Sequence, residues 1–404
     1  MLLGIGTSLL HRLRSKPRAA VAKRRKGVRS DHNPLEYTLS LNPVTAPAHP
    51  PVLGMNLFSP IQLGDYTLRN RILMAPMTRS RADGQGVTAA ITAEYYGQRA
   101  DAGLIITEGT APSAMGLGYA RTPGIFTEAQ IESWKPVTQA VHARDGRIFL
   151  QIMHVGRIAH SANRTIPDSP VAPSAIPAAG MMWTDALGMQ PNDTPRALEL
   201  SEIPAVIAEF ADATRNALAA GFDGVELHAA SGYLPNQFLS PGANHRTDAY
   251  GGSIENRIRF VVETLAAMIE AAGSSGKVGI KVSPGMQFND INDSDPIPTF
   301  VALAKAISPL KPAYLHVMRA GVGAETVLRS AFDGTLLVGG GFQKDTANAA
   351  LASGSADAIV FGTSYIANPD LVARFESDAT LNVPDKNTFY TPGPAGYTDY
   401  PALP

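Results

Sequence analysis

The stretch GVELHAASGYLPNQFLSP, residues 224–241, sets His228 and Tyr233 five apart around a Ser231-Gly232 pair, directly after an apolar run that reads as a strand. Imidazole and phenol both handle protons. Where a strand ends, a neutral imidazole can donate a hydrogen bond to a substrate carbonyl while the tyrosine delivers a proton. Ser231, three residues beyond His228, offers a second hydroxyl donor to the same oxygen. The plainer alternative is a satisfied core histidine beside a packed tyrosine.

Two further strand ends carry complementary groups, Gln151 in RIFLQIMH and Lys281 in VGIKVSP. A carboxamide both donates and accepts, and a lysine fixes a positive charge. Together they suit a flat heterocycle with a hydrogen-bonding edge that becomes anionic on reduction, such as an isoalloxazine. Thr78, after Pro76 and Met77, can offer its hydroxyl to a second ring carbonyl. The glycine-rich ends VGGGF, with Gly340, Gly341 and Phe342, and VFGTS, with Gly362 and Thr363, allow backbone to approach an anion closely. They point to a phosphate-bearing ligand. Taken singly, each feature also has a structural reading: a capping Gln, a Lys reaching water, a Thr ending a strand, glycines in a tight turn.

These groups need a scaffold that gathers strand ends. Apolar runs fall at 71–78, 104–110, 147–154, 224–230, 278–284, 314–318, 335–341 and 358–363. Helical patterns lie between most of them, at 89–101, 128–143, 201–220 (Ser201 as N-cap, Pro204 in the first turn), 253–272, 296–307, 343–353 and 368–376. Eight alternating β and α units predict a closed parallel (β/α)8 TIM barrel, an α/β fold whose chemistry collects at the C-terminal ends of its strands. The connection from His154 to Leu200 is long and rich in Pro, Gly and Met, which predicts a lid or binding loop.

The chain has 404 residues and no cysteine, which excludes disulfides, thiolate metal sites and a cysteine nucleophile. Nine of its 34 Lys and Arg fall in residues 1–30 with no acid, so the other 25 face all 35 Asp and Glu. That mildly acidic body gives no reason to expect nucleic-acid binding. No run of eighteen apolar residues marks a membrane-spanning helix. Residues 1–54 read as a basic, Pro-containing extension and 55–404 as a single barrel domain. The expected compartment is the cytoplasm, with organelle targeting by the basic N-terminus as the alternative.

The stretches APMTRSR (75–81), HVGR (154–157), GYLPNQFLSPGANHRTDAYGGSIENRIRF (232–260), FGTSYIANPDL (361–371) and GYTDYP (396–401) resemble the Old Yellow Enzyme family of FMN-dependent ene-reductases, from about Leu57 to Pro401. The resemblance implies FMN at the barrel mouth, reduced by NADPH or NADH, and hydride transfer to an alkene conjugated to a carbonyl or nitro group. It implies Pro76, Met77, Thr78, Gly109 and Gln151 on the flavin together with Lys281 and the 340–342 and 362–363 turns. His228 would hold the substrate carbonyl, with Ser231 and Tyr365 on the substrate side, and Tyr233 would donate the proton. A monomer or homodimer is expected.

Four positions depart from the family pattern. Ser231 stands where Asn or His is usual, Lys281 and Thr363 where arginine is usual, and Met153 where Trp is frequent. Loss of a charge-assisted phosphate contact at 363 corresponds to about 1.5–3 kcal/mol. Two alternatives stay open from the residues: a barrel that binds ligand without turnover, and a Schiff-base aldolase using Lys281 with Tyr233 as acid.

Overall fold

The computed structural model describes residues 54–404. The expected N-terminal extension therefore lies outside the described residues, apart from Gly54. An antiparallel hairpin, β1 (Ile61–Leu63) and β2 (Tyr66–Leu68), comes first, in register Ile61 to Leu68. Then follow β3 (Ile72–Met74), α1 (Ile91–Gln98), β4 (Leu104–Ile106), α2 (Glu128–His142) and β5 (Ile148–Ile152). The long connection carries a two-residue parallel pair, β6 (Val171–Ala172) with β9 (Arg196–Ala197), around a hairpin of β7 (Met181–Thr184) and β8 (Gly188–Pro191).

The second part runs α3 (Ile203–Ala219), β10 (Gly224–Ala229), α4 (Leu234–Leu239), α5 (Ile254–Ala272), β11 (Val278–Val282), α6 (Pro296–Ile307) and β12 (Tyr314–Met318). It ends with α7 (Ala324–Ala331), β13 (Leu336–Gly339), α8 (Lys344–Ala352), β14 (Ala358–Phe361), α9 (Thr363–Ala367) and α10 (Leu371–Glu376). The barrel closes in the order β3-β4-β5-β10-β11-β12-β13-β14, every pair parallel. Each of the eight expected strands is present, shortened where its last residues turn into rim loops.

Helix ends follow local chemistry. Thr127 and Gln130 form a reciprocal capping box on α2, and Ser253 caps α5, which stops at Gly273 in the left-handed region. Ser201 is not a cap. Glu202 occupies the cap position of α3 without a side-chain cap bond; its carboxylate instead accepts from the Glu199 amide and pairs with Arg196. Helices α4, α7 and α9 and both hairpins were not among the predicted elements.

Strand alternation sorts the core. Outward residues such as Ile105, Leu150, Leu227, Ile280, Val317 and Val338 pack under the helices. Inward residues Leu73, Leu104, Ile106, Phe149, Tyr314 and Leu337 fill the lower barrel, plugged below by Leu63 and Leu68 of the first hairpin. The Phe149 and Tyr314 rings stack there at 6.1 Å. Gly279 makes that fill possible, since a side chain on it would come within 2.2 Å of the Tyr314 ring. Above this layer the inward positions turn polar.

Candidate active site

The polar layer consists of Gln151 on β5, Glu226 and His228 on β10, Lys281 on β11 and His316 on β12, adjoining strands of one wall. At its centre Glu226 is fully buried. It accepts from Gln151 Nε2 at 2.7 Å and from His316 Nδ1 at 2.9 Å. Burial alone would raise the carboxyl pKa, but His316, Lys281 and Gln151 hold it below the usual value. Burial likewise lowers His316, so the pair consists of a carboxylate and a neutral imidazole donating from Nδ1. Sequence reasoning missed Glu226, whose only sequence signal was an acid among apolar strand residues two positions before His228.

Lys281 is buried and makes no hydrogen bond among the described residues; burial lowers its pKa and Glu226 opposes the shift. Its side chain reaches a cavity of about 340 Å³, lined also by Pro76, Met77, Gly340, Gly341, Phe342, Gly362 and Thr363. The structure thus gathers eight predicted residues, from three separate rim segments and β11, around one space. The Gly340 and Gly341 backbones have φ of 108° and 74°, where other residues are strained, and a side chain on Gly341 would meet nothing within 4 Å. Arg319 braces this turn. Its guanidinium donates to the Gly340 carbonyl and lies 3.7 Å from the Phe342 ring centroid.

His228 and Tyr233 sit side by side, ring centroids 4.8 Å apart and nearly perpendicular. Burial, then Lys281 and His316, push His228 well below its ordinary pKa, and its Nδ1 is buried without a partner. Tyr233 is pushed well above 10 by burial and donates its hydroxyl to Tyr119 at 3.2 Å. Tyr119 in turn lines a second cavity of about 580 Å³ with Ser80, Arg121, Trp183, Asp185 and Tyr390. The hairpin of β7 and β8 supplies Trp183, so the long connection does wall the rim, as expected of a lid or binding loop.

Two expected site residues are corrected. Tyr365 is not at the mouth: it lies in the hydrophobic core near Arg99 and Asp101, its hydroxyl buried and unpartnered, because α9 turns it inward. Tyr390, together with Tyr119, lines the rim cavity instead. Ser231 does not offer its hydroxyl beside His228. Its left-handed φ of 56° aims Oγ at Met286 Sδ, 3.8 Å away. Asn289 occupies that neighbourhood instead, donating to the Ser231 carbonyl at 2.9 Å with its carboxamide facing both Tyr119 and Tyr233.

Thr78 is half-buried with no side-chain hydrogen bond among the described residues. Gly109 is buried against Met153, and a side chain there would meet the Met153 sulfur at 2.5 Å. The conspicuous arginines of APMTRSR are structural. Arg79 and Arg81 both donate to the Phe389 carbonyl, Arg79 also to Gly396 and Arg81 to Thr388 and Ala395, and Arg99 donates to Tyr365, Ile366 and Tyr397. These bonds strap the C-terminal segment across the rim and set Tyr390 in place.

A family model described as the NADH:flavin oxidoreductase / NADH oxidase family matches residues 56–382. The chain is 43% identical over 356 residues to a probable flavin mononucleotide-dependent alkene reductase of Leishmania infantum, covering 86% of this chain and 97% of that protein. It is 40% identical to 12-oxophytodienoate reductase 7 of Oryza sativa subsp. japonica, with 86% and 94% covered. Among solved structures, the old yellow enzyme homologue from Zymomonas mobilis superposes with a TM-score of 0.84 at 43% identity, covering 86% of this chain and 100% of that one. Morphinone reductase in complex with tetrahydroNAD superposes at 0.83 and 45% identity, with 87% and 98% covered.

Proposed function

This chain belongs to the NADH:flavin oxidoreductase / NADH oxidase family, and on that premise we propose how its own rim residues divide the work of alkene reduction. The protein is an FMN-dependent oxidoreductase that uses a nicotinamide nucleotide to reduce activated carbon–carbon double bonds. The single observation that carries the residue assignment is the His228 and Tyr233 pair, with His228 in register beside Lys281, which lines a glycine-walled cavity.

The residues fit the cofactor. The Gly340-Gly341 and Gly362-Thr363 backbones leave unfilled space for a phosphate, and Pro76, Met77 and Phe342 offer apolar wall to a ring. When bound, the flavin supplies hydride chemistry, accepting from the nicotinamide and donating to the alkene. Glu226 accepts one Gln151 amide N–H, which orients the carboxamide and leaves its carbonyl oxygen to accept from a ring N–H. Lys281 supplies a cation at the edge where negative charge collects.

His228 stays neutral and donates a hydrogen bond to the substrate carbonyl or nitro oxygen, which polarises the double bond. Tyr233 stays protonated at neutral pH and gives its proton to the α-carbon. Met153, Tyr119, Trp183 and Tyr390 keep apolar surface around the substrate. The Schiff-base reading is not favoured: burial lowers the Lys281 pKa and the Glu226 carboxylate only opposes that shift, but the family and the flavin-dependent relatives carry the flavin reading instead.

The test is a visible spectrum after incubation with FMN and removal of the excess, followed by NADPH oxidation with 2-cyclohexenone. Retained flavin and enone-dependent turnover that falls in Tyr233→Phe and His228→Ala support the assignment. Turnover indifferent to both substitutions refutes it.

A further inference from the structure

We propose that Tyr119 is the proton relay behind Tyr233, returning to it from solvent the proton that Tyr233 gives to the substrate. The inference rests on the assignment of Tyr233 as the proton donor. The two phenol oxygens are 3.2 Å apart across 114 residues of sequence, and their rings meet edge to face at 6.2 Å. Tyr233 is 7% exposed, so a phenolate formed there is deprived of bulk water and must be met by a neighbouring donor.

The groups facing Tyr233 leave one candidate. His228, against its ring, is a neutral imidazole whose pKa lies well below the working range, so it holds no spare proton. The Asn289 carboxamide faces both phenols but donates to the Ser231 carbonyl and has no exchangeable acid of suitable strength. Tyr390 makes no hydrogen bond to either phenol among the described residues and is 60% exposed. Tyr119 touches Tyr233 directly, and its other side lines the cavity of about 580 Å³ whose wall includes the exposed Trp183, Asp185 and Tyr390 and the Asp185-paired Arg121. It spans the gap between the buried donor and water.

The step balances. The Tyr233 O–H bond breaks, its proton forms the C–H bond at the α-carbon, and the electron pair stays on the Tyr233 oxygen. The Tyr119 hydroxyl, which accepts from Tyr233 at rest, rotates to donate, and its proton passes to Tyr233. Water in the outer cavity then protonates Tyr119 and leaves hydroxide to the solvent. One solvent proton enters per alkene reduced, and the relay itself carries protons only.

Stopped-flow kinetics on FMN-loaded wild type, Tyr119→Phe and Tyr233→Phe test this, with NADPH for the reductive half and 2-cyclohexenone for the oxidative half, the latter repeated across H2O/D2O mixtures. In Tyr119→Phe we expect unchanged flavin reduction, reoxidation slowed by about tenfold, the effect of one hydrogen bond, and a linear proton inventory where wild type is curved. Full-speed reoxidation with an unaltered inventory, or equal slowing of both halves, overturns the relay. Reoxidation unaffected by Tyr233→Phe would instead overturn the donor assignment beneath it. Should Tyr119→Phe misfold, 3,5-difluorotyrosine at 119 keeps the shape and is more acidic. It is expected to move the alkaline limb of the reoxidation profile to lower pH, and an unmoved limb refutes the relay.

Discussion

Glu226 accepts a 2.7 Å hydrogen bond from the Gln151 carboxamide on the adjoining strand, with both side chains buried in the barrel. The contact fixes the orientation of the amide, and the carboxylate opposes the lowering of the Lys281 pKa by burial. Glu226→Gln is therefore expected to lower unfolding free energy by about 1–3 kcal/mol, because it weakens the buried hydrogen bonds from Gln151 and His316 and removes the charge that offsets the burial of Lys281. Adding Lys281→Met is expected to recover the charge share of that loss. Urea unfolding of the two singles and the double closes the cycle, and strict additivity would show that the charges do not interact.

Tyr233→Phe is expected to leave flavin reduction by NADPH within about twofold of wild type while slowing reoxidation by an enone by about 10²–10⁴-fold, the usual scale of a positioned general acid. Stopped-flow separation of the two half-reactions reads this directly. Equal slowing of both would make Tyr233 a packing residue.

Thr363 is exposed on the turn that walls the smaller cavity. Thr363→Arg is expected to tighten FMN binding by about ten- to a hundredfold through a charge-assisted phosphate contact, and to leave riboflavin, which has no phosphate, unchanged. Fluorescence titration of the apoprotein with each flavin measures both. A gain shared by riboflavin would place the new guanidinium on the ring instead.

Tyr365→Phe is expected to leave enone KM and kcat unchanged and to stabilise the fold by up to about 1 kcal/mol, since it removes a buried hydroxyl with no partner. Tyr390→Ala is expected to raise KM for bulky enones. Steady-state kinetics and thermal unfolding on the pair decide which tyrosine belongs to the site.

His154 is fully buried and lowered to about 3, chiefly by burial and then by Arg164, and His228 is also held well below 6.5. Both are neutral when folded, whereas the unfolded chain binds protons at these positions below about pH 6.5. Stability is thus fully present above pH 6.5 and falls as pH drops from 6.5 toward 3, by up to about 1.4 kcal/mol per pH unit for each histidine. His154→Phe is expected to flatten this decline in urea unfolding series. Enone affinity, in contrast, is expected to show no break near pH 6.5, because His228 does not titrate there.

The sequence by itself determined the eight strands, the parallel barrel and the strand ends that meet at its rim. Those features follow from near-neighbour patterning: apolar runs of strand length, helical periodicity between them and glycines where the turns need positive φ. The side-by-side placement of His228 and Tyr233 was legible for the same reason, both being anchored near the end of one strand. Ser231 and Tyr365 were misjudged because proximity in sequence says nothing of side-chain direction. A left-handed residue turned one hydroxyl toward Met286, and a single turn of helix buried the other ring.

What only the tertiary structure decided are contacts that depend on barrel closure and register. Glu226 meets Gln151 across 75 residues and His316 across 90, Tyr233 meets Tyr119 across 114, and Arg79 reaches the C-terminal strap across more than 300. A local pattern records whether a residue faces inward. Which inward residues meet is set by the register and closure of eight strands, a long-range property that no window of the sequence contains.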